Sequence, residues 1–155
     1  MDNEYFRIID LEKYETKDIH DQHVNGSLTL VWRDCDNIIP DEFKTVYVTS
    51  ANPGEIKGPH LHTKRISYFV CIHGEVVFVI QKKPGEYEEI RANADKPVLI
   101  VIPKNIPTAH INVNNGISRI LALADISWKP NDDEMKNVSF NDYDWNKWKK
   151  TKLSN

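Results

Sequence analysis

The chain has 155 residues, of which 40% are hydrophobic, and a formal net charge of -3. This length allows one compact domain with a real core, and the balanced charge excludes the strong electrostatic field that attracts nucleic acid or anionic membranes. The sequence shows no basic segment followed by an apolar one at its start, and no apolar stretch near the roughly 20 residues that cross a bilayer. It has too few cysteines for a disulfide scaffold. We therefore expect a cytoplasmic protein with one domain over residues 1–155.

Short runs of β-branched and aromatic residues alternate with turn signals along most of the chain. This spacing predicts an all-β sandwich or barrel rather than a parallel α/β sheet. Gly74, Gly85 and Asn115-Gly116 supply the turn chemistry between several runs. The predicted strands, in chain order, are residues 28–33, 44–50, 66–72, 75–81, 98–103, 110–114 and 118–126.

The helical signal is confined to the end of the chain, where NDYDWNKWKK (141–150) predicts one short helix with an Asn or Asp cap and lysines in its last turn. Trp145 and Trp148 are spaced to lie on one face of that helix and to anchor it to the barrel. We therefore expect a barrel over about residues 28–128 and a C-terminal extension over residues 129–155.

Two histidines stand one residue apart in GEIKGPHLHTKRISYFVCIHGE (54–75). Because side chains alternate along a strand, His60 and His62 point to the same face. By itself this pair fits an exposed strand as well as a site inside a barrel.

The surrounding residues resemble the two-part cupin signature. Gly54, His60, His62 and Gly74 match its first part, and Pro103, His110 and Asn114 match the second. The resemblance implies an all-β jelly-roll barrel in which both parts lie on neighbouring strands, so that His110 enters the same cavity as the histidine pair.

This sequence departs from the cupin pattern at the glutamate that usually completes a metal site, because Ile66 and Ser67 stand at the expected positions. The second part has Asn105 where glycine is usual and two extra residues before His110. Three histidines with open positions still suit a first-row metal, so a metal-dependent cupin enzyme is one alternative.

Residues 44–80, IPKNIPTAHI and NVSFNDYDW more closely resemble the metal-independent, RmlC-like cupins that remodel nucleotide-linked 4-keto sugars. Members include dTDP-4-dehydrorhamnose 3,5-epimerases and the WxcM-like dTDP-sugar 3,4-ketoisomerases. The resemblance implies a cofactor-independent isomerase or epimerase of polysaccharide biosynthesis that acts on a dTDP-linked 4-keto-6-deoxyhexose.

The reactions of that family begin with removal of a proton next to a ketone, a task that suits histidine because its pKa lies near neutrality. The resemblance makes His60 the proton acceptor. It makes His62 either the group that returns the proton or a hydroxyl-binding group, and Asp142 a carboxylate that orients the base, with Asp144 as a near alternative. Asp142 as a simple cap of the last helix is an equal alternative.

Two residues of the epimerase pattern are missing, because Ser67 replaces its lysine and the apolar ILALA (120–124) replaces its tyrosine acid. The ketoisomerase pattern takes a tyrosine from the preceding strand, and Tyr47 matches it, with Lys57 in place of a companion arginine. The sequence thus favours 3,4-ketoisomerase over 3,5-epimerase, with ordinary strand packing as the alternative role for Tyr47.

The substrate of that family carries a nucleotide diphosphate, which needs cationic partners. Residues expected to bind substrate are Lys57, Lys64, Arg65, His110 and Arg119.

The resemblance also implies a homodimer that shares strands, for which LTLVWR (28–33) is the candidate. A nucleotide-sugar-binding cupin without catalysis is a further alternative.

Overall fold

The computed structural model describes residues 2–37 and 42–149. Within these ranges the chain is almost entirely β-structure, with two 3₁₀ turns at Asp34–Asp36 and Trp145–Trp148. With helical segments of only three and four residues, the described part of the chain has no helix that could cross a membrane. The strands are β1 (Arg7–Asp10), β2 (Lys13–Lys17), β3 (Val24–Thr29), β4 (Thr45–Ala51), β5 (Ile56–His62), β6 (Ser67–His73), β7 (Glu75–Lys83), β8 (Glu86–Asn93), β9 (Val98–Ile102), β10 (Thr108–Asn112), β11 (Ser118–Ala124) and β12 (Met135–Asn137).

Ten strands form two antiparallel five-stranded sheets. The first sheet has the order β1-β9-β6-β11-β4, and the second has the order β12-β5-β10-β7-β8. Strands distant in sequence are neighbours in both sheets, as in a jelly roll, and β2 and β3 form a separate two-stranded ribbon. The predicted all-β cupin jelly-roll fold is confirmed.

The core lies between the sheets and is built from alternating residues of the central strands. On β7, Val76, Phe78 and Ile80 point into it and are at most 1% exposed. The intervening Val77 and Val79 are equally buried, because the C-terminal segment packs over the outer face of the second sheet through Phe140. The run EVVFVIQ is therefore apolar on both faces for two different reasons.

Two predicted elements are corrected by the structure. The N-terminal strand runs from Val24 to Thr29 rather than over residues 28–33. Of the predicted helix 141–150, residue 150 lies outside the described residues, and the described part forms only the 3₁₀ turn Trp145–Trp148, capped by the Asp144 side chain. Trp145 and Trp148 both pack on the outer cluster of the second sheet, and this packing keeps the segment flat against the strands.

Close approach of two backbones fixes the strand that carries the histidine pair. Gly58 has a φ of +91°, and a Cβ there would lie 3.0 Å from the Thr108 carbonyl oxygen on β10. Glycine is the residue that adopts this conformation without strain. It lets β5 lie directly against β10, with His60 opposite Thr108.

Candidate active site

A cavity of about 740 Å³ opens between the two sheets. One wall is β4, the opposite wall is formed by β5 and β10, and the chain from Ile126 to Met135 lines a third side. On β4, alternation turns Thr45, Tyr47 and Thr49 inward, while Val46 and Val48 face outward. The volume lies in the ordinary range of small-molecule sites.

All three histidines of the cupin-like motifs line this cavity. The rings of His60 and His62 lie 5.3 Å apart between centroids with an interplanar angle of 78°, and His110 enters from β10 beside Phe78. Burial lowers the pKa of His60 to about 4, and the neighbouring His62 and the positive charge of Arg65 lower it further. Burial also lowers the pKa of His110 to about 4. Both imidazoles are therefore neutral at pH 7 and able to accept a proton.

His62 is held at both ring nitrogens. Its Nδ1 lies 2.8 Å from Oε2 of Glu134, and its Nε2 accepts a hydrogen bond from Nη2 of Arg65 at 2.6 Å. Burial lowers the pKa of His62, and the Glu134 carboxylate opposes that shift. The ring is thus fixed between one negative and one positive group.

Arg65 lies inside the cavity rather than at its mouth. Its side chain extends from the turn between β5 and β6, the residue is 7% exposed, and Nη2 also donates to the Tyr47 hydroxyl at 3.3 Å. Its Nε is buried without a hydrogen-bond partner, and no carboxylate of residues 2–37 and 42–149 forms an ion pair with the guanidinium. A buried guanidinium without a carboxylate partner suits an anionic ligand or a developing negative charge.

The structure separates three predicted site residues from the cavity. Lys64 is exposed in the turn after β5, next to Arg65. Arg119 points to the outer face of the first sheet, because the fully buried Ile120 takes the inward position beside it. Asp142 accepts a hydrogen bond from Tyr87 on the outer side of the second sheet. Lys57 does line the cavity, and its Nζ donates to the Ser50 carbonyl at 3.4 Å.

The carboxylate beside a site histidine is Glu134 rather than Asp142, and the sequence interpretation missed it. Glu134 is 72 residues from His62 and reaches it because β12 pairs with β5, with Met135 opposite His62. The short charged segment NDDEMKN gave no strand signal. Trp128 also lines the cavity and is 69% exposed.

The three histidines do not fit a metal ion in this arrangement. Both nitrogens of His62 are engaged, and the Arg65 guanidinium occupies the side from which a cation would bind Nε2. Among residues 2–37 and 42–149, the only three His, Cys, Asp or Glu side chains whose ligand atoms lie within 4.8 Å of one another are Asp18, Asp21 and His23, in the β2–β3 turn.

Comparison with known proteins identifies relatives of this chain. A family model described as "FdtA: WxcM-like, C-terminal" matches residues 6–144. The curated spore coat polysaccharide biosynthesis protein SpsL of Bacillus subtilis (strain 168) is 25% identical over 124 residues, which are 74% of this chain and 82% of SpsL.

Solved structures with a similar fold include enzymes named for sugar nucleotides. A dTDP sugar isomerase from Desulfovibrio desulfuricans G20 matches with a TM-score of 0.77 and 16% identity, covering 92% of each chain. QdtA, a sugar 3,4-ketoisomerase from Thermoanaerobacterium thermosaccharolyticum solved with TDP, matches with a TM-score of 0.68 and 22% identity, covering 86% of this chain and 88% of QdtA.

A longer protein also contains a domain of this kind. The capsular polysaccharide assembling protein CapF from Staphylococcus aureus matches with a TM-score of 0.59 and 20% identity over 63% of this chain. The chain spans only 29% of CapF. The similarity therefore concerns one domain of that protein.

Proposed function

Since the chain belongs to the FdtA family described as WxcM-like, C-terminal, we propose that it is a 3,4-ketoisomerase that acts on a dTDP-linked 4-keto-6-deoxyhexose. The observation that carries this proposal is the neutral His60 imidazole in the same cavity as the Arg65 and Tyr47 donors. The names of SpsL and QdtA support a substrate of this class and a role in polysaccharide biosynthesis.

In the proposed reaction, His60 accepts the proton from C3, and the bonding electrons move to the C4 ketone oxygen. Arg65 and Tyr47 donate hydrogen bonds to this oxygen as its negative charge develops. The C3 hydroxyl proton then moves to the C4 oxygen, so that the negative charge lies on the C3 oxygen of the enediolate. The His60 imidazolium returns its proton to C4, which leaves the ketone at C3 and a hydroxyl at C4. Every proton that leaves one site is returned at another, so the step needs no cofactor.

The nucleotide end of the substrate requires a stacking surface and cations near the cavity mouth. Trp128 lines the cavity with 69% of its surface exposed, and the adjacent Lys129 lines it too. Lys57 lines the cavity near Ser50, at the other end of β4. An exposed indole suits the thymine ring, and the Lys129 ammonium suits the diphosphate.

Replacing Trp128 by alanine is expected to weaken dTDP binding by about 1–3 kcal/mol, the cost of losing one base-stacking ring. Titration calorimetry with dTDP measures the loss. Trp128→Phe keeps an aromatic ring and should recover most of the affinity, whereas equal affinity of Trp128→Ala and the unsubstituted protein would remove Trp128 from the nucleotide site.

The alternatives differ from the proposed function in what their sites require. A 3,5-epimerase needs the lysine and tyrosine for which this chain has Ser67 and ILALA. A three-histidine metal enzyme needs a free nitrogen on His62, where Arg65 donates instead. The observed contacts therefore favour the ketoisomerase.

The deciding experiment incubates the protein with dTDP-4-keto-6-deoxyglucose in deuterated water and follows the sugar protons by NMR. We expect the C3 proton signal to disappear, a 3-keto product to accumulate, with deuterium at C4 to the extent that the His60 imidazolium exchanges with solvent, and the C5 proton to stay. Exchange at C5 would indicate an epimerase, and no exchange at any carbon together with no new sugar would contradict both reactions.

The homodimer stays a prediction. Val46 and Val48 are 58% and 53% exposed on the outward face of β4, which is the last strand of the first sheet. Exposed apolar side chains beside an edge strand suit a second copy. Light scattering should give twice the mass of one 18.0 kDa chain, and a monomer would contradict this assembly.

A further inference from the structure

Glu134 is a buried carboxylate whose position is set by the main chain. The residue is 6% exposed. Its carbonyl accepts hydrogen bonds from the backbone N–H and the hydroxyl of Thr63 at 2.9 and 3.0 Å, and its own N–H donates to Asp132. These bonds tie the start of β12 to the end of β5 and bring both carboxylate oxygens within 3.1 Å of His62 Nδ1.

The partners of His62 determine where its proton lies. A guanidinium only donates hydrogen bonds, so the contact from Arg65 requires a lone pair on Nε2. A neutral imidazole then carries its proton on Nδ1, where the carboxylate of Glu134 accepts it. One tautomer satisfies both contacts, and the other satisfies neither.

We propose that Glu134 is a positioning residue, which fixes His62 as the Nδ1–H tautomer so that Nε2 holds the Arg65 guanidinium beside the Tyr47 hydroxyl. The chain of contacts runs from Glu134 through His62 and Arg65 to Tyr47. The tautomer is inferred from the contacts alone, whereas the kinetic consequence also rests on the proposed function.

This network gives Tyr47 and His62 different tasks. The Tyr47 oxygen accepts a hydrogen bond from Arg65, which leaves the phenolic proton free to point into the cavity. Nε2 of His62 has no proton to give, so His62 does not return a proton to the sugar. Donation to the substrate then comes from Arg65 and Tyr47, whose orientation depends on Glu134.

The tautomer is tested by nitrogen-15 NMR of the histidine side chains in the protein without substrate, with His62→Gln to assign its signals. We expect the His62 proton on Nδ1 in the unsubstituted protein. Glu134→Leu should reduce the population of that tautomer, and Glu134→Gln should restore it, because the amide oxygen is again an acceptor. A proton on Nε2 in the unsubstituted protein, or an unchanged spectrum in Glu134→Leu, would overturn the proposal.

The kinetic consequence is tested with the same variants. Glu134→Leu should lower kcat about 10- to 100-fold with little change in KM, the size found for partners that orient metal-binding histidines. Glu134→Gln should recover part of the rate, and Lys136→Gln, at an exposed residue of β12 that is absent from the cavity wall, should match the unsubstituted protein. An unchanged kcat in Glu134→Leu would overturn the positioning role. Absence of turnover in every variant and in the unsubstituted protein would count against the proposed function, while the NMR result would still decide the tautomer.

Discussion

Replacing His60 by asparagine is expected to lower kcat by about 10²- to 10⁴-fold, the usual contribution of a positioned general base. The imidazole is neutral because burial lowers its pKa to about 4, and the asparagine amide has no comparable basicity. The loss should fall on kcat more than on KM, since the proton is taken in the transition state and not on binding. Steady-state kinetics and the rate of C3 deuterium exchange measure the two quantities.

The matched control for this substitution is His73→Asn. His73 is exposed at the end of β6 and is absent from the cavity wall, so its replacement should leave kcat unchanged. Thermal unfolding of both variants separates loss of the base from loss of the fold. A folded His60→Asn protein with kcat within threefold of the original would assign proton removal to another group, with His110 as the next neutral imidazole in the cavity.

The pH profile gives a second check on the same base. The pKa of His60 in the folded protein is about 4, below the ordinary 6.5 of histidine. As the pH is lowered through 6.5, kcat/KM should therefore stay constant. It should fall only at lower pH, where His60 becomes protonated and can no longer accept a proton. A profile that falls near pH 6.5 would instead indicate a base with an unperturbed pKa.

Local sequence rules identified the strand of the histidine pair but not every wall of the cavity. The alternation that places His60 and His62 on one face, and the turn glycine at Gly74, are properties of adjacent residues. Asp142 was assigned from resemblance to an end segment that, in this fold, covers the outer face of the second sheet. Glu134 reaches the site only through the pairing of β12 with β5, which no local pattern encodes.

The prediction that Arg119 lies at the substrate site was wrong because of the composition of its own strand, β11. In SRILALA, Ile120, Ala122 and Ala124 face the interior, and Leu123 is also buried, on the opposite face. When both faces of a strand are apolar, alternation does not identify the inward face. Arg65 presents the opposite difficulty, because a charged residue in a turn is ordinarily exposed, whereas this side chain is buried against Tyr47.

Replacing Arg65 by lysine is expected to lower kcat by about 10²- to 10³-fold, the loss seen when one preorganised donor to a developing oxyanion is removed. Lysine keeps a positive charge in principle, but its ammonium lacks the planar fork that donates to Tyr47 and His62 from one group. Burial also lowers the pKa of a lysine and so weakens its charge at this depth. Arg91→Lys, at an exposed residue of β8, is the matched control and should have normal kinetics.

The division of the Arg65→Lys effect between kcat and KM distinguishes two roles for this arginine. If Arg65 held the diphosphate, as first expected from the sequence, the substitution would raise KM and leave kcat nearly unchanged, because the diphosphate has the same charge before and during the reaction. If Arg65 stabilises the enediolate oxygen, kcat falls and KM changes little. Its burial, its contact with the Tyr47 hydroxyl and its lack of a carboxylate partner among the described residues favour the second result. A normal kcat with a raised KM would return Arg65 to the diphosphate and leave Tyr47 as the donor to the sugar ketone.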